Sequence, residues 1–260
     1  ESFIKISFDN AIKRKVDEIY VTMFPDDPNV KALRELLSRW GFEYHGIKKS
    51  DSGEEVVLIK RLNLYNRNLS IKQNYPVVDY SQPKMILPIY AQYHTTLLPD
   101  SKLNTENEID FIGSIPHRYA LQKVYVTWGM KDFVKAGDII LFYRIGEKLP
   151  KKYSSVLTTV GVIDHIERGF NSKEEYLSYC ENRSAFTKNE LELFWKKYKD
   201  NLCVLKFIYI LSLTKRLTLD YLWKSNIVDP PAGPRPFTRI SDEQFKQILR
   251  DSETKIFEEK

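Results

Sequence analysis

The sequence predicts an α+β protein in two parts, and three observations carry that reading. Helix-period and strand-period patterns alternate from Phe3 to Leu62, the periodicity fades from Asn63 to Lys84, and long β-branched runs dominate beyond it. At 260 residues the chain exceeds the common range for one domain, so two domains are the starting expectation. Hydrophobic residues make up 42% and charged residues 29%, a soluble globular mixture that excludes wholesale disorder and fibrous repeats.

In the first part, Phe3, Ile4, Ile6, Phe8, Ala11, Ile12 and Val16 recur at spacings nearer the helical period than strict alternation and predict an amphipathic helix. Glu18 to Phe24 is β-branched and aromatic and is stopped by Pro25-Asp26-Asp27-Pro28, which predicts a buried strand. Asn29 is placed to cap a second helix whose stripe is Val30, Leu33, Leu36, Leu37 and Trp40, with Gly41 ending it. Two further strands, Phe42 to Ile47 and Glu55 to Ile59, flank the turn residues Ser50 to Gly53.

Residues 63–84 accumulate Asn, Tyr, Gln and Pro without a period and read as a linker between a segment 1–62 and a domain 85–250, with 251–260 as a charged tail. In that domain Ile86 to Tyr93, Lys123 to Thr127, Asp138 to Arg144, Val156 to Ile166 and Leu202 to Leu213 read as strands. Ser172 with Glu175, Thr187 with Glu190 and Ser241 with Gln244 have capping-box spacing, so three helices should start there.

No apolar run approaches the roughly 20 residues that cross a bilayer, and the opening Glu1 to Lys5 has no signal organisation, so a cytoplasmic protein with no membrane partner is expected. Cys180 and Cys203 have no paired spacing, which excludes a disulfide scaffold and a thiolate metal site. The net charge of +5 permits a polyanionic partner without requiring one. His45, His94, His117 and His165 show no metal-ligand spacing, and Asp164-His165 has no identifiable Ser or Cys partner; His94 reads as a structural histidine after a strand.

The strand Ile19 to Phe24, the helix from Asn29, the Gly41-Phe42 pair and Gly46 together resemble the second half of a GNAT-type N-acetyltransferase. That family holds the acetyl-CoA pyrophosphate on a Gly-rich turn at a helix N-terminus. No glycine precedes Gly41 here, and the position matching the family's acid tyrosine is Leu37. The resemblance therefore implies a segment without a cofactor, with acetyl-CoA and an acetyltransferase activity only if residues upstream of Glu1 complete it. It also implies a sheet edge for a homodimer or a docking partner, and a protein-interaction module is a further alternative.

Met85 to Leu249 resembles the PUA-like superfamily, in particular its EVE and ASCH branches, a β-barrel with inserted helices. The carrying residues are Val124 to Thr127, Gly137-Asp138 leading into Ile139 to Arg144, Thr158 to Ile163, and the closing run from Leu205 through Pro230-Pro231 to the helix at Ser241. That resemblance implies binding of RNA or a modified nucleic-acid base, which needs an aromatic face and cations for phosphates. The candidates are Trp128 at a strand end, Tyr143 and Arg144 at the end of the next strand, Arg235 and Phe237 in the Pro234 to Arg239 turn, and Lys151 and Lys152 in a basic loop. Trp128 either stacks on a base at the rim or plugs the core, and of Phe142 and Tyr143 one should face inward and the other outward.

Overall fold

The computed structural model describes residues 2–25, 30–51, 53–104, 106, 119–181 and 183–257. The chain divides into two compact units, one of Glu1–Asp79 with Phe257–Lys260 and one of Tyr80–Ile256.

The first unit runs α1 (Ser2–Arg14), β1 (Glu18–Met23), α2 (Val30–Arg39), β2 (Glu43–Ser50) and β3 (Gly53–Arg61). This is the helix, strand, helix, hairpin order read from the sequence; the expected Asn29 cap lies outside the described residues. Ile4, Phe8 and Ala11 form the buried stripe of α1, and Leu37 of α2 is buried together with Trp40 in the turn that follows it. The three strands form an antiparallel sheet in the order β1-β3-β2. The stretch read as a linker is partly built into this core. It carries α3 (Ile71–Asn74), started by a Ser70–Gln73 capping box, and Tyr75 packs edge-on against Phe8 and Trp40. Gly41 has φ +79°, and a Cβ there would fall 2.3 Å from the Gln73 carbonyl oxygen. Only glycine satisfies both demands.

The second unit contains β4 (Lys84–Tyr90), α4 (Ala91–Leu97), β5 (Gln122–Trp128), β6 (Ile139–Ile145), α5 (Lys151–Ser154), β7 (Val156–Arg168), α6 (Lys173–Cys180), α7 (Lys188–Tyr198), β8 (Leu202–Thr218), α8 (Leu219–Lys224), β9 (Thr238–Ile240) and α9 (Asp242–Asp251). The three expected helix starts are realised. Thr187–Glu190 and Ser241–Gln244 make reciprocal capping boxes, and the Ser172 hydroxyl accepts from the Glu175 amide. β8 runs past the expected Leu213 to Thr218, and the strand expected over Ile86 to Tyr93 is cut short. It ends at Tyr90, and Ala91, His94 and Thr95 instead bury one face of α4 at helical spacing.

Six strands form one sheet in the order β5-β8-β7-β6-β4-β9, parallel only between β4 and β6. The long β7–β8 ladder shifts register three times, at Leu157/Thr159, Val160/Gly161 and Ile163/His165. Bulges of this kind bend a ladder and increase its twist. The expected barrel is not closed by hydrogen bonds among the described residues, because β5 pairs only with β8 and β9 only with β4. The short β9 reaches no further along β4 than Lys84 to Ile86, so the second half of β4 faces a gap. Curling nevertheless brings the two margins close, since the Tyr125 hydroxyl of β5 donates to the Pro88 carbonyl of β4 at 3.0 Å. The expected alternation of Phe142 and Tyr143 also fails. Both are buried, as is the whole run from Ile139 to Arg144, so both faces of β6 are covered.

Candidate nucleic-acid interface

The gap between β4 and β5 opens into a cavity of about 740 Å³. Its lining includes Pro88, Ile89 and Tyr125, the aromatic residues Trp128, Phe186 and Phe194, and the Pro234-Arg235-Pro236 turn. The volume is in the range of small-molecule sites.

Each aromatic group is placed by a local rule. On β5, Val124 and Val126 face the α6–α7 hairpin and pack there with Tyr176, Cys180 and Leu191. Trp128 has the same parity, so its ring reaches α7. On α7, Phe194 and Tyr198 are one turn apart, and both meet that ring. Tyr198 stacks on Trp128 with centroids 4.2 Å apart and planes 4° from parallel, and Phe194 tilts against it at 5.5 Å. Trp128 remains 44% exposed. Tyr125 points the other way, toward Phe142 inside the curl, and burial pushes its phenol pKa up, so it is a neutral donor at physiological pH.

Two walls of the cavity are tied together by one carboxylate. Glu190 accepts from Tyr93 on α4 at 2.8 Å, and its other oxygen accepts from the amide and hydroxyl of Thr187 as the box of α7. Partial burial opposes its charge, but these bonds prevail and lower its pKa. Tyr93 also packs on Phe186, with centroids 4.5 Å apart.

Of the residues singled out from the sequence, Trp128 and Arg235 lie on this cavity. Tyr143 and Phe237 are core residues, 3% and 4% exposed. Arg239, at the end of the same turn, lies over the Phe133 ring at 4.0 Å. Arg144 is buried in an ion pair with Glu106 at 2.7 Å, their side chains 9% and 10% exposed. Lys151 and Lys152 are on α5, away from the cavity lining; Lys152 pairs with Asp220 at 3.4 Å and covers the Tyr153 ring. Tyr93, Tyr125, Phe186, Phe194 and Tyr198 were missed. The spacing of Phe194 and Tyr198 is their one local signal, and it reads equally well as helix core.

The second unit also holds a buried polar network. His94, fully buried, is bonded through Nε2 to the Thr158 hydroxyl at 2.9 Å, and Ser101 joins Thr159 and Ser212 at 2.6 Å each. Burial, with Arg144 and Arg216 nearby, lowers the His94 pKa to about 3, so its ring is neutral. His94 is the satisfied structural histidine expected from sequence. Among the described residues no cluster of His, Cys, Asp and Glu could hold a metal ion, and no helix is long and apolar enough to cross a membrane.

No family model and no curated protein matches the chain. Solved structures similar to it include two mutant forms of the ZmASCH protein from Zymomonas mobilis. They are 10% and 9% identical, each with a TM-score of 0.44, and the match spans 64% of this chain and 94% and 96% of theirs. Human THYN1 in complex with 5-methylcytosine containing DNA is similar at 10% identity and a TM-score of 0.35, over 67% of this chain and 99% of that one.

Proposed function

We propose that the second unit is a PUA-like domain that binds RNA or a modified nucleic-acid base, with the base entering the cavity between β4 and β5. The observation that carries this reading is an aromatic-walled cavity with Trp128, 44% exposed, at its wall and the exposed guanidinium of Arg235 at its margin. A flat heterocycle needs a ring face, and a strand passing the mouth needs a cation for its phosphate. Pro88 and Pro236 add apolar surface that suits a base without charge. In this reading Tyr143, Phe237 and Arg144 support the site from the core rather than touching ligand.

The first unit, on the same proposal, is a GNAT-like segment whose sheet serves contact with a partner or a second copy. Its support is the helix, strand, helix, hairpin order, the outer edge of β1, which among the described residues pairs with β3 alone, and Tyr20, 72% exposed on that strand.

Fluorescence anisotropy with single-stranded RNA and DNA of about ten nucleotides, with and without base methylation, tests the base-binding reading. Saturable binding that Trp128→Ala weakens by roughly ten- to a hundred-fold is expected, as stacking contributes about 1–3 kcal/mol per base. Binding unaffected by Trp128→Ala would remove the cavity from the interface.

A further inference from the structure

We infer that only one face of Trp128 is available to ligand, and that Tyr198 is the positioning residue that sets the plane on which a ring must lie. The inference rests on the base-binding reading above and adds to it the geometry of the stack. Two aromatic rings at 4.2 Å and 4° are in full face contact, so Tyr198 occupies one side of the indole. Trp128 is still 44% exposed as a residue, and it lies on the cavity lining. The exposure therefore belongs to the opposite face and the ring edge, and an incoming ring continues a stack of Tyr198, Trp128 and ligand.

Tyr198 is suited to hold a plane because its own freedom is restricted. It is the last residue of α7 and packs against the core formed by Tyr176, Leu191 and Val204. Lys197 covers the Tyr198 ring, its Nζ 5.0 Å from the centroid. Phe194, one turn earlier, braces the indole from a second direction at 5.5 Å and 49°. Trp128 itself ends β5 and precedes Gly129, whose φ of +72° turns the chain away, so the strand alone does not fix the ring. Without Tyr198, the indole would gain a second accessible face and rotamer freedom, and the ligand would have to fix it.

The test compares Tyr198→Phe and Tyr198→Leu with the intact chain, using labelled single-stranded RNA and its DNA counterpart as probes and thermal melting on the same preparations. Phe keeps the flat face and Leu keeps bulk without it. Affinity close to the intact chain for Tyr198→Phe, with a loss of roughly three- to tenfold for Tyr198→Leu in the folded fraction, is the expected result. Equal affinity for both variants, alongside a loss for Trp128→Ala, would overturn the positioning role and leave the base-binding reading in place. Failure of the intact chain to bind either probe would remove the base-binding reading and this inference with it.

Discussion

Arg144 separates two readings of the basic residues, because its position at the end of a strand suits a phosphate contact whereas its surroundings are those of a buried ion pair. Its guanidinium donates to Glu106 at 2.7 Å, and both side chains are about nine-tenths buried. Glu106 accepts in turn from the Thr95 hydroxyl at 2.6 Å and the Leu103 amide at 3.0 Å. Arg144→Ala leaves that carboxylate in place with its cation gone. Removing one partner of a buried pair costs about 3–5 kcal/mol, chiefly the desolvation of the charge left behind. For a domain of this size 1 kcal/mol moves the melting temperature by about 2–4 °C, so a fall of about 6–20 °C is expected. Glu106→Gln in the Arg144→Ala background removes the stranded charge and should recover part of the loss. Calorimetry on the single and double variants reads both effects. An Arg144→Ala protein that melts within a degree or so of the parent and binds RNA more weakly would refute the buried-pair reasoning and return Arg144 to the phosphate surface.

Three further outcomes follow from named groups. With its pKa lowered to about 3 by burial, His94 stays neutral in the fold while the unfolded chain protonates near pH 6.5. The unfolded state therefore binds the extra proton between about pH 6.5 and pH 3, stability falls as pH drops through that window, and His94→Gln should flatten the loss in a melting-versus-pH series. Gly41→Ala forces a Cβ to within 2.3 Å of the Gln73 carbonyl at φ +79°, so the first unit should lose more than about 2 kcal/mol in urea unfolding; a loss under about 0.5 kcal/mol would contradict the contact. If the strand contacts three or four phosphates, log affinity for single-stranded RNA should fall against log salt with a slope of about −2 to −3, and a flat response would exclude backbone contacts.

How much of this was legible in the sequence depended on range. Local signals read well: the capping residues Ser172, Thr187 and Ser241 placed three helix starts, and Gly41 closed α2 where a positive φ was needed. Period failed where a strand passed directly into a helix, as at Tyr90–Ala91, because the polar residues after Ala91 looked like a strand tail. Alternation distinguished nothing on β6, whose two faces are both covered, so Tyr143 is buried like Phe142. The cavity was largely illegible, since β4, α4, β5, α7 and the 234–236 turn meet only through the bending of the β7–β8 ladder. The ion pair of Arg144 was illegible for a similar reason. Its partner Glu106 lies 38 residues away, and no local pattern announces it.

The most direct test of base capture at the seam is to follow the indole N–H resonances of Trp40, Trp128, Trp195 and Trp223 by NMR during titration with single-stranded RNA. Trp128 is assigned by the signal missing from Trp128→Phe. Stacking on its free face predicts a saturable shift of the Trp128 resonance, larger than that of Trp40, which is 1% exposed in the first unit. Saturable binding that leaves the Trp128 resonance unmoved would contradict the account, because the nucleic acid would then be held without entering the cavity.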